Sequence, residues 1–127
     1  MSATFAIDFG TTNSVACLIS RDPESGTLSP LILANREDGK PHPSVIWYRG
    51  EEVVVGRRAK EQLHQLGLGV FGDIVRSPKV FLGSPRGVSV GGVLHPTVDV
   101  VSEIFKFIKS DALSRGLKGS DFERAVV

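Results

Sequence analysis

The sequence predicts an α/β fold in which a mixed sheet begins as a β-meander and a long amphipathic helix lies near the C-terminus. Three short apolar runs, rich in strand-forming residues and ended by turn signals, predict the meander within residues 3–34. Apolar residues recur at helical spacing later in the chain, at Val101, Ile104, Phe105, Ile108 and Ala112. With 127 residues, 41% of them hydrophobic, the chain is long enough to bury a core between these elements.

The meander is expected to contain strands at residues 3–9, 14–20 and 28–34. Gly10, Thr11 and Thr12 supply the first turn, and the polar segment 21–26 supplies the second. Successive short strands joined by short turns favour antiparallel pairing.

The middle of the chain is expected to contain a loop, two strands and a short helix. Residues 35–43 are polar and carry two prolines, which is typical of a loop, and strands are expected at 44–48 and 53–55. Ala59, Leu63 and Leu66 recur at helical spacing among charged residues. This spacing predicts an amphipathic helix over Arg57–Leu66.

Residues 67–95 are rich in glycine and give weaker signals. Pro78 excludes one long helix through residues 74–82, and residues 88–94 are expected to form a hairpin. Pro96 suits the first position of the long helix, and Gly116 suits its end. A last strand is expected to begin within Phe122–Val127.

The composition bounds the class of protein. Lysine and arginine number 15 against 14 acidic residues, so no electrostatic argument favours a nucleic acid or an anionic membrane as partner. The single cysteine, Cys17, excludes an intrachain disulfide and is expected to be a small buried residue. No apolar run is long enough to cross a membrane and no secretory signal is visible, so we expect a cytoplasmic location.

The strongest indication of chemistry is the segment from Phe5 to Ala16, in which an apolar run delivers Asp8 and a Gly-Thr-Thr-Asn turn follows. A carboxylate at the end of an apolar strand is costly to bury unless it is paired or faces a cation. Magnesium takes one or two carboxylates together with phosphate oxygens and water. Gly10 allows the backbone to approach a phosphate closely, and turn amides can form an anion-binding concavity. The segment therefore predicts a phosphate-holding hairpin with a metal-directed acid at its base.

Simpler interpretations stand beside this one. A short Asp-x-Gly-Thr motif is also typical of a plain hairpin whose side chains satisfy the turn. No glycine-lysine pair follows the turn, so the segment is not a Walker loop. The histidines, His42, His64 and His95, lack the spacing of a zinc site. Lys79 taken alone is most simply a solvated surface lysine.

The octapeptide from Ile7 to Ser14 resembles the first phosphate-binding loop of the DnaK-type, seventy-kilodalton heat-shock chaperones. These proteins belong to the actin, sugar-kinase and heat-shock ATPase superfamily. Further segments resemble the same family in order and spacing, at residues 43–46, 55–62, 77–83, 101–113 and 125–127. The resemblance therefore covers essentially the whole chain, although Pro78 and Val80 depart from the usual neighbours of the family's catalytic lysine.

The resemblance implies a ribonuclease H-like fold and, within it, part of lobe I of an actin-like ATPase. Residues 1–36 and 96–127 would form a core subdomain, and residues 37–95 a smaller peripheral subdomain. The second phosphate loop, the remaining acids and the adenosine pocket of the family would lie beyond Val127.

The resemblance also implies roles for the site residues. Asp8 would be a catalytic and metal-binding residue that orients hydrated magnesium. The residues that would hold the β- and γ-phosphates of ATP or ADP are Gly10, Thr11, Thr12 and Asn13. Lys79 would be the catalytic lysine that offsets charge developing in phosphoryl transfer and assists the attacking water.

The activity implied by the resemblance is ATP hydrolysis that drives binding and release of unfolded polypeptides in a stress response, with co-chaperones as further partners. The 127 residues alone are expected to bind ATP weakly and to hydrolyse it negligibly, because the nucleotide would be held between two phosphate loops and the second would be absent. The unfinished apolar strand at Val126 and Val127 is expected to favour self-association. Two alternatives stay open: a non-catalytic interaction module that retains a relic phosphate loop, and a sugar-kinase-like or actin-like relative.

Overall fold

The computed structural model describes residues 3–118 and 125–127, which form two sheets, a separate hairpin and two α-helices. The first sheet contains β1 (Ala3–Phe9), β2 (Asn13–Arg21), β3 (Leu28–Leu33), β4 (His42–Pro43) and β11 (Ala125–Val126). The second contains β5 (Val45–Arg49), β6 (Glu52–Val55), β7 (Gly69–Phe71) and β8 (Ile74–Arg76). The remaining elements are the hairpin β9 (Val88–Val90) and β10 (Val93–His95), the helices α1 (Arg57–Lys60) and α2 (Thr97–Ser114), and a 3-10 helix at Pro78–Phe81.

The first three strands form the predicted antiparallel meander, in the order β1-β2-β3. Ile7 of β1 lies opposite Ala16 of β2, which lies opposite Leu33 of β3. All three side chains are buried, because alternate residues of a strand point to the same face of the sheet. The meander therefore presents one apolar face to the core.

The strand β11 makes the first sheet mixed, as predicted. It pairs in parallel with β1, with Phe5 opposite Ala125. Parallel neighbours need a crossover connection, and α2 lies in the connection that leads to β11. Of the strand expected within Phe122–Val127, Ala125 and Val126 are confirmed, and residues 122–124 lie outside the described part of the chain.

The second sheet is antiparallel, with strand order β6-β5-β8-β7. The strands expected at 44–48 and 53–55 are confirmed as β5 and β6, and the hairpin expected at 88–94 is confirmed as β9 and β10. The β7–β8 hairpin and the 3-10 helix lie in the glycine-rich region, for which the sequence predicted no such elements.

The helix α2 covers the core, as its apolar stripe predicts. Its buried residues are Val100, Val101, Ile104, Ile108 and Ala112. Phe105, expected in that stripe, is only partly buried and packs at the margin of the core. Pro96 caps the helix instead of occupying its first position, and the chain leaves the helix at Gly116, whose φ of 93° suits glycine.

Two expectations for the middle of the chain are wrong in detail. The helix expected over Arg57–Leu66 ends at Lys60, and the amide of Leu63 donates to the carbonyl of Lys60 in a tighter turn. Leu63 packs beside Ala59 on the second sheet, whereas Leu66 is 95% exposed and has nothing to pack against. The loop expected over 35–43 also ends early, because His42 and Pro43 pair with the start of β2.

Candidate phosphate-binding site

The turn between β1 and β2 is closed by one backbone hydrogen bond. The amide of Gly10 donates to the carbonyl oxygen of Asn13 at 3.0 Å. A Cβ atom on residue 10 would lie 2.3 Å from that oxygen, so the turn accepts no side chain at this position without moving. The structure therefore gives a physical reason for Gly10 that is independent of any ligand.

The side chains that the sequence assigns to magnesium and phosphate lie on the surface around this turn. Asp8 is exposed near the end of β1, opposite Val15 of β2. Thr11, Thr12 and Asn13 are also exposed. These side chains are therefore open to approach from solvent.

Lys79 lies beside this turn, although 70 residues separate it from Phe9 in the sequence. Its Nζ atom donates a hydrogen bond to the carbonyl oxygen of Phe9 at 3.1 Å and lies 5.9 Å from the centre of the Phe9 ring. The Phe9 ring packs in turn on Phe105 of α2, with ring centres 5.2 Å apart. The structure thus brings together the loop and the lysine that the sequence singled out separately.

The chain reaches Lys79 through a strained residue. Ser77 is fully buried and has φ of 62°, the only positive φ of a non-glycine residue among those that the structure describes. A side chain in this left-handed region costs roughly 1–2 kcal/mol. Pro78 follows at the start of the 3-10 helix, so the chain turns sharply out of β8 and presents Lys79 to Phe9.

Three buried serines behind the turn were not predicted as part of the site. Ser14, Ser44 and Ser77 have at most 1% of their surface exposed. Ser44 contacts the loop on one side and the amide of Ser77 on the other. One feature of the sequence could have indicated such a role: Ser44 begins the apolar strand at 44–48. A hydroxyl group buried with such a strand needs a hydrogen-bond partner.

The short strand β4 pairs with the start of β2, directly after the turn. His42 lies opposite Ser14, and its Nε2 atom is 3.2 Å from the carbonyl oxygen of Leu33. The ring also stands edge-on to Phe107 of α2, with centres 5.0 Å apart. Burial lowers the pKa of His42, so at neutral pH the ring is uncharged and Nε2–H donates to Leu33.

The donor set fits magnesium held jointly by protein, water and a phosphate, and not by protein alone. Within residues 3–118 and 125–127 no group of three His, Cys, Asp or Glu residues could hold a metal ion. Asp8 is a single exposed carboxylate next to the turn, which matches the preference of magnesium for one or two carboxylates plus phosphate oxygens and water.

No helix in the described part of the chain has the length and apolar character needed to cross a bilayer. The free thiol of Cys17 is half-buried on β2 and lies opposite Ala6 and Ile32, so the buried position expected for it is only partly reached.

Comparison with known proteins identifies similar sequences. The chain is 31% identical over 121 residues to the chaperone protein DnaK of Mycoplasma mycoides subsp. mycoides SC, a match that covers 95% of this chain and 18% of that protein. It is 31% identical to DnaK of Metamycoplasma hominis over the same shares of both chains. DnaK of Deinococcus radiodurans is 40% identical over 62 residues, which is 49% of this chain and 9% of that protein.

The two longer matches cover nearly all of this chain but only a small part of each relative. The chain spans about a fifth of the length of the curated relatives that it matches over 95% of its own length. No protein-family model matches the chain.

Proposed function

Because the chain belongs to the DnaK-type family of heat-shock chaperones, we propose that it supplies the first phosphate-binding loop and the catalytic lysine of a chaperone ATPase site. The observation that carries this proposal is the hydrogen bond from Lys79 to the carbonyl of Phe9, one residue before the turn. It places the fixed positive charge at the loop that would hold the phosphates.

In this proposal the chain's own groups would bind the β- and γ-phosphates. Gly10 would allow a phosphate to approach the turn backbone closely, and Thr11 and Thr12 would add hydroxyl donors. Asp8 would hold magnesium through its carboxylate or through bound water, and that ion would neutralise phosphate charge. The ammonium group of Lys79 would stabilise negative charge on the γ-phosphate and orient the attacking water.

We also propose that the fold is the ribonuclease H-like lobe of actin-like ATPases. A meander whose first strand pairs in parallel with the strand after α2 supports this assignment. The core subdomain would comprise residues 1–36 and 96–127, and the peripheral subdomain residues 37–95. The second sheet lies within the latter range.

The parent activity would be ATP hydrolysis coupled to binding and release of unfolded polypeptides in the cytoplasm, assisted by co-chaperones. The 127 residues alone would bind ATP weakly, because the proposed ligands are exposed on one side of an open surface. Hydrolysis by these residues alone would be negligible, because a single loop cannot enclose the γ-phosphate and exclude water.

A titration of the isotope-labelled chain with MgATP, followed by NMR, tests the proposal. We expect amide shifts at residues 8–13 and 79, with an affinity weaker than micromolar. Asp8→Asn should weaken binding, whereas Asp22→Asn, on an exposed turn between β2 and β3, should not. Shifts confined to other residues, or equal loss in both variants, would refute the assignment. Micromolar binding would refute the expectation that these residues alone bind ATP weakly.

A further inference from the structure

We propose that Ser44 is a positioning residue that holds the phosphate loop and the Lys79 turn in one fixed arrangement. The inference rests on the proposed function of Asp8, the loop and Lys79. It goes beyond that function by assigning a role to a fully buried residue that lies between the two segments.

On the loop side, Ser44 holds two carbonyl groups. Its amide donates to the carbonyl oxygen of Thr12 at 2.9 Å, and its Oγ–H donates to the carbonyl oxygen of Gly10 at 3.0 Å. In a trans peptide the C=O and the next N–H point in opposite directions. Because the Gly10 carbonyl is fixed toward buried Ser44, the amide of Thr11 points away from the interior. An anion at the surface can reach it there.

On the lysine side, Ser44 accepts a hydrogen bond. The amide of Ser77 donates to the carbonyl oxygen of Ser44 at 2.8 Å. Ser77 is the left-handed residue that redirects the chain two positions before Lys79. Lys79 then returns to the carbonyl of Phe9, so the hydrogen bonds form a closed ring through the loop, Ser44, Ser77 and Lys79.

A matched control lies next to Ser44. The Oγ atoms of Ser14 and Ser44 are 2.9 Å apart, and both hydroxyl groups are buried. Because the Ser44 hydroxyl proton is used at the Gly10 carbonyl, Ser14 donates to Ser44. Ser14→Ala thus removes a buried hydroxyl of the same kind but leaves the bond between Ser44 and the loop in place.

The decisive measurement is the rate at which an amine-acetylating reagent labels Lys79, relative to the exposed Lys106, by mass spectrometry. The hydrogen bonds described for Ser44 join it to Ser14, Gly10, Thr12 and Ser77 and not to the Lys79 side chain, so a purely local packing role would not change this ratio. We expect Ser44→Ala to raise this ratio several-fold and to speed amide exchange at Gly10 about tenfold, because the part-buried Gly10 carbonyl loses its donor. Ser14→Ala should change both less than Ser44→Ala does, because it leaves the hydrogen bond from Ser44 to the Gly10 carbonyl in place.

The MgATP affinity of the same variants links this arrangement to the proposed function. Ser44→Ala should weaken binding about tenfold relative to Ser14→Ala, because only Ser44→Ala removes the hydrogen bond to the Gly10 carbonyl of the loop. Ser44→Cys, similar in size but a weaker donor, should show a smaller change in the same direction and serves if Ser44→Ala does not fold.

Each outcome decides one claim. Equal labelling and exchange in the Ser44 and Ser14 variants would overturn the role of Ser44, whatever the nucleotide does. If the unaltered chain does not bind MgATP at all, the proposed function fails, and the labelling ratio still decides whether Ser44 couples the loop to Lys79.

Discussion

The ammonium group of Lys79 donates a hydrogen bond to the carbonyl oxygen of Phe9 at 3.1 Å, across 70 residues of sequence. Phe9 precedes the glycine of the turn, and Lys79 lies in the 3-10 helix that follows the second sheet. The contact therefore joins the end of β1 to the 3-10 helix, beside the turn for which the sequence predicts phosphate binding. It also makes the site testable by substitutions at several distances from the lysine.

Replacing Gly10 by alanine should destabilise the fold and disrupt the turn. The new Cβ would lie 2.3 Å from the Asn13 oxygen, and the backbone must move to admit it. We expect a loss of about 1–3 kcal/mol in the free energy of unfolding, the usual range for overpacking. Urea denaturation measures this loss, and Thr11→Ala, at the neighbouring exposed residue, should stay within about 0.5 kcal/mol. Equal stability of the two variants would contradict the geometry of the turn.

Lowering the pH should reduce stability through His42. Burial lowers its pKa, while the nearby carboxylates of Asp111 and Asp38 raise it and Arg115 lowers it. A pKa below that of the unfolded chain means that the unfolded state binds more protons as the pH falls. The contribution is therefore fully present above about pH 6.5, the unfolded value, and is lost as the pH falls through the folded value.

Chemical denaturation measures how the free energy of unfolding depends on pH. A range of about 3 pH units, from about pH 8 to about pH 5, spans the ordinary pKa of histidine. His42→Asn should reduce the slope of the free energy of unfolding against pH. His64→Asn, at an exposed histidine, should keep the slope of the unaltered chain. Identical slopes for all three proteins would rule out His42 as the responsible group.

The single tyrosine should titrate well above its ordinary range. Burial against the hairpin β9–β10 and α2, together with the charges of Glu103 and Asp99, raises the pKa of Tyr48 to about 12. Absorbance of the tyrosinate at alkaline pH isolates this group, since the chain has one tyrosine. The chain in denaturant should titrate near 10, the ordinary value. Coincident curves for the folded and unfolded chain would contradict the partly buried position of the ring.

Ser77→Gly should not destabilise the fold, although the residue is fully buried. Its Oγ has no hydrogen-bond partner within the described residues, and its φ of 62° favours glycine. Relief of roughly 1–2 kcal/mol of strain offsets the entropy cost of glycine, which is about 0.5–1 kcal/mol. Ser77→Val, whose branched side chain resists this backbone, should lose stability. Thermal unfolding ranks the variants, and a Val variant as stable as the Gly variant would show that the strain is absent.

Local patterns predicted the elements whose partners are close in the sequence. The meander followed from alternating apolar runs, and Ile7, Ala16 and Leu33 meet as the period of two requires. The apolar stripe of α2 predicted its buried face, apart from the shift of Phe105 to the margin. Leu66 shows the limit of the same rule, because helical spacing does not determine whether a partner surface exists.

In the candidate site, too, some features were predictable from the sequence and others were not. Gly10 and its neighbours were predicted from one contiguous motif, and Lys79 from a resemblance. The link between them was not predictable, since it depends on Ser44 and Ser77, which meet where the β5–β8 pairing ends beyond Val45 and Arg76, and on the contact of Ser44 with the loop. A left-handed serine has no signature in sequence, because most left-handed positions are occupied by glycine.

The most direct test of the central claim, that the loop and Lys79 bind the same phosphates, is protection of Lys79 from amine acetylation by MgATP. In the unaltered chain, saturating MgATP should slow labelling of Lys79 and leave Lys106 unchanged. In the Gly10→Ala variant, verified as folded, the protection should disappear although Lys79 is intact. Labelling of Lys79 that is the same with and without MgATP, or protection that persists when the turn is disrupted, would contradict a shared phosphate site.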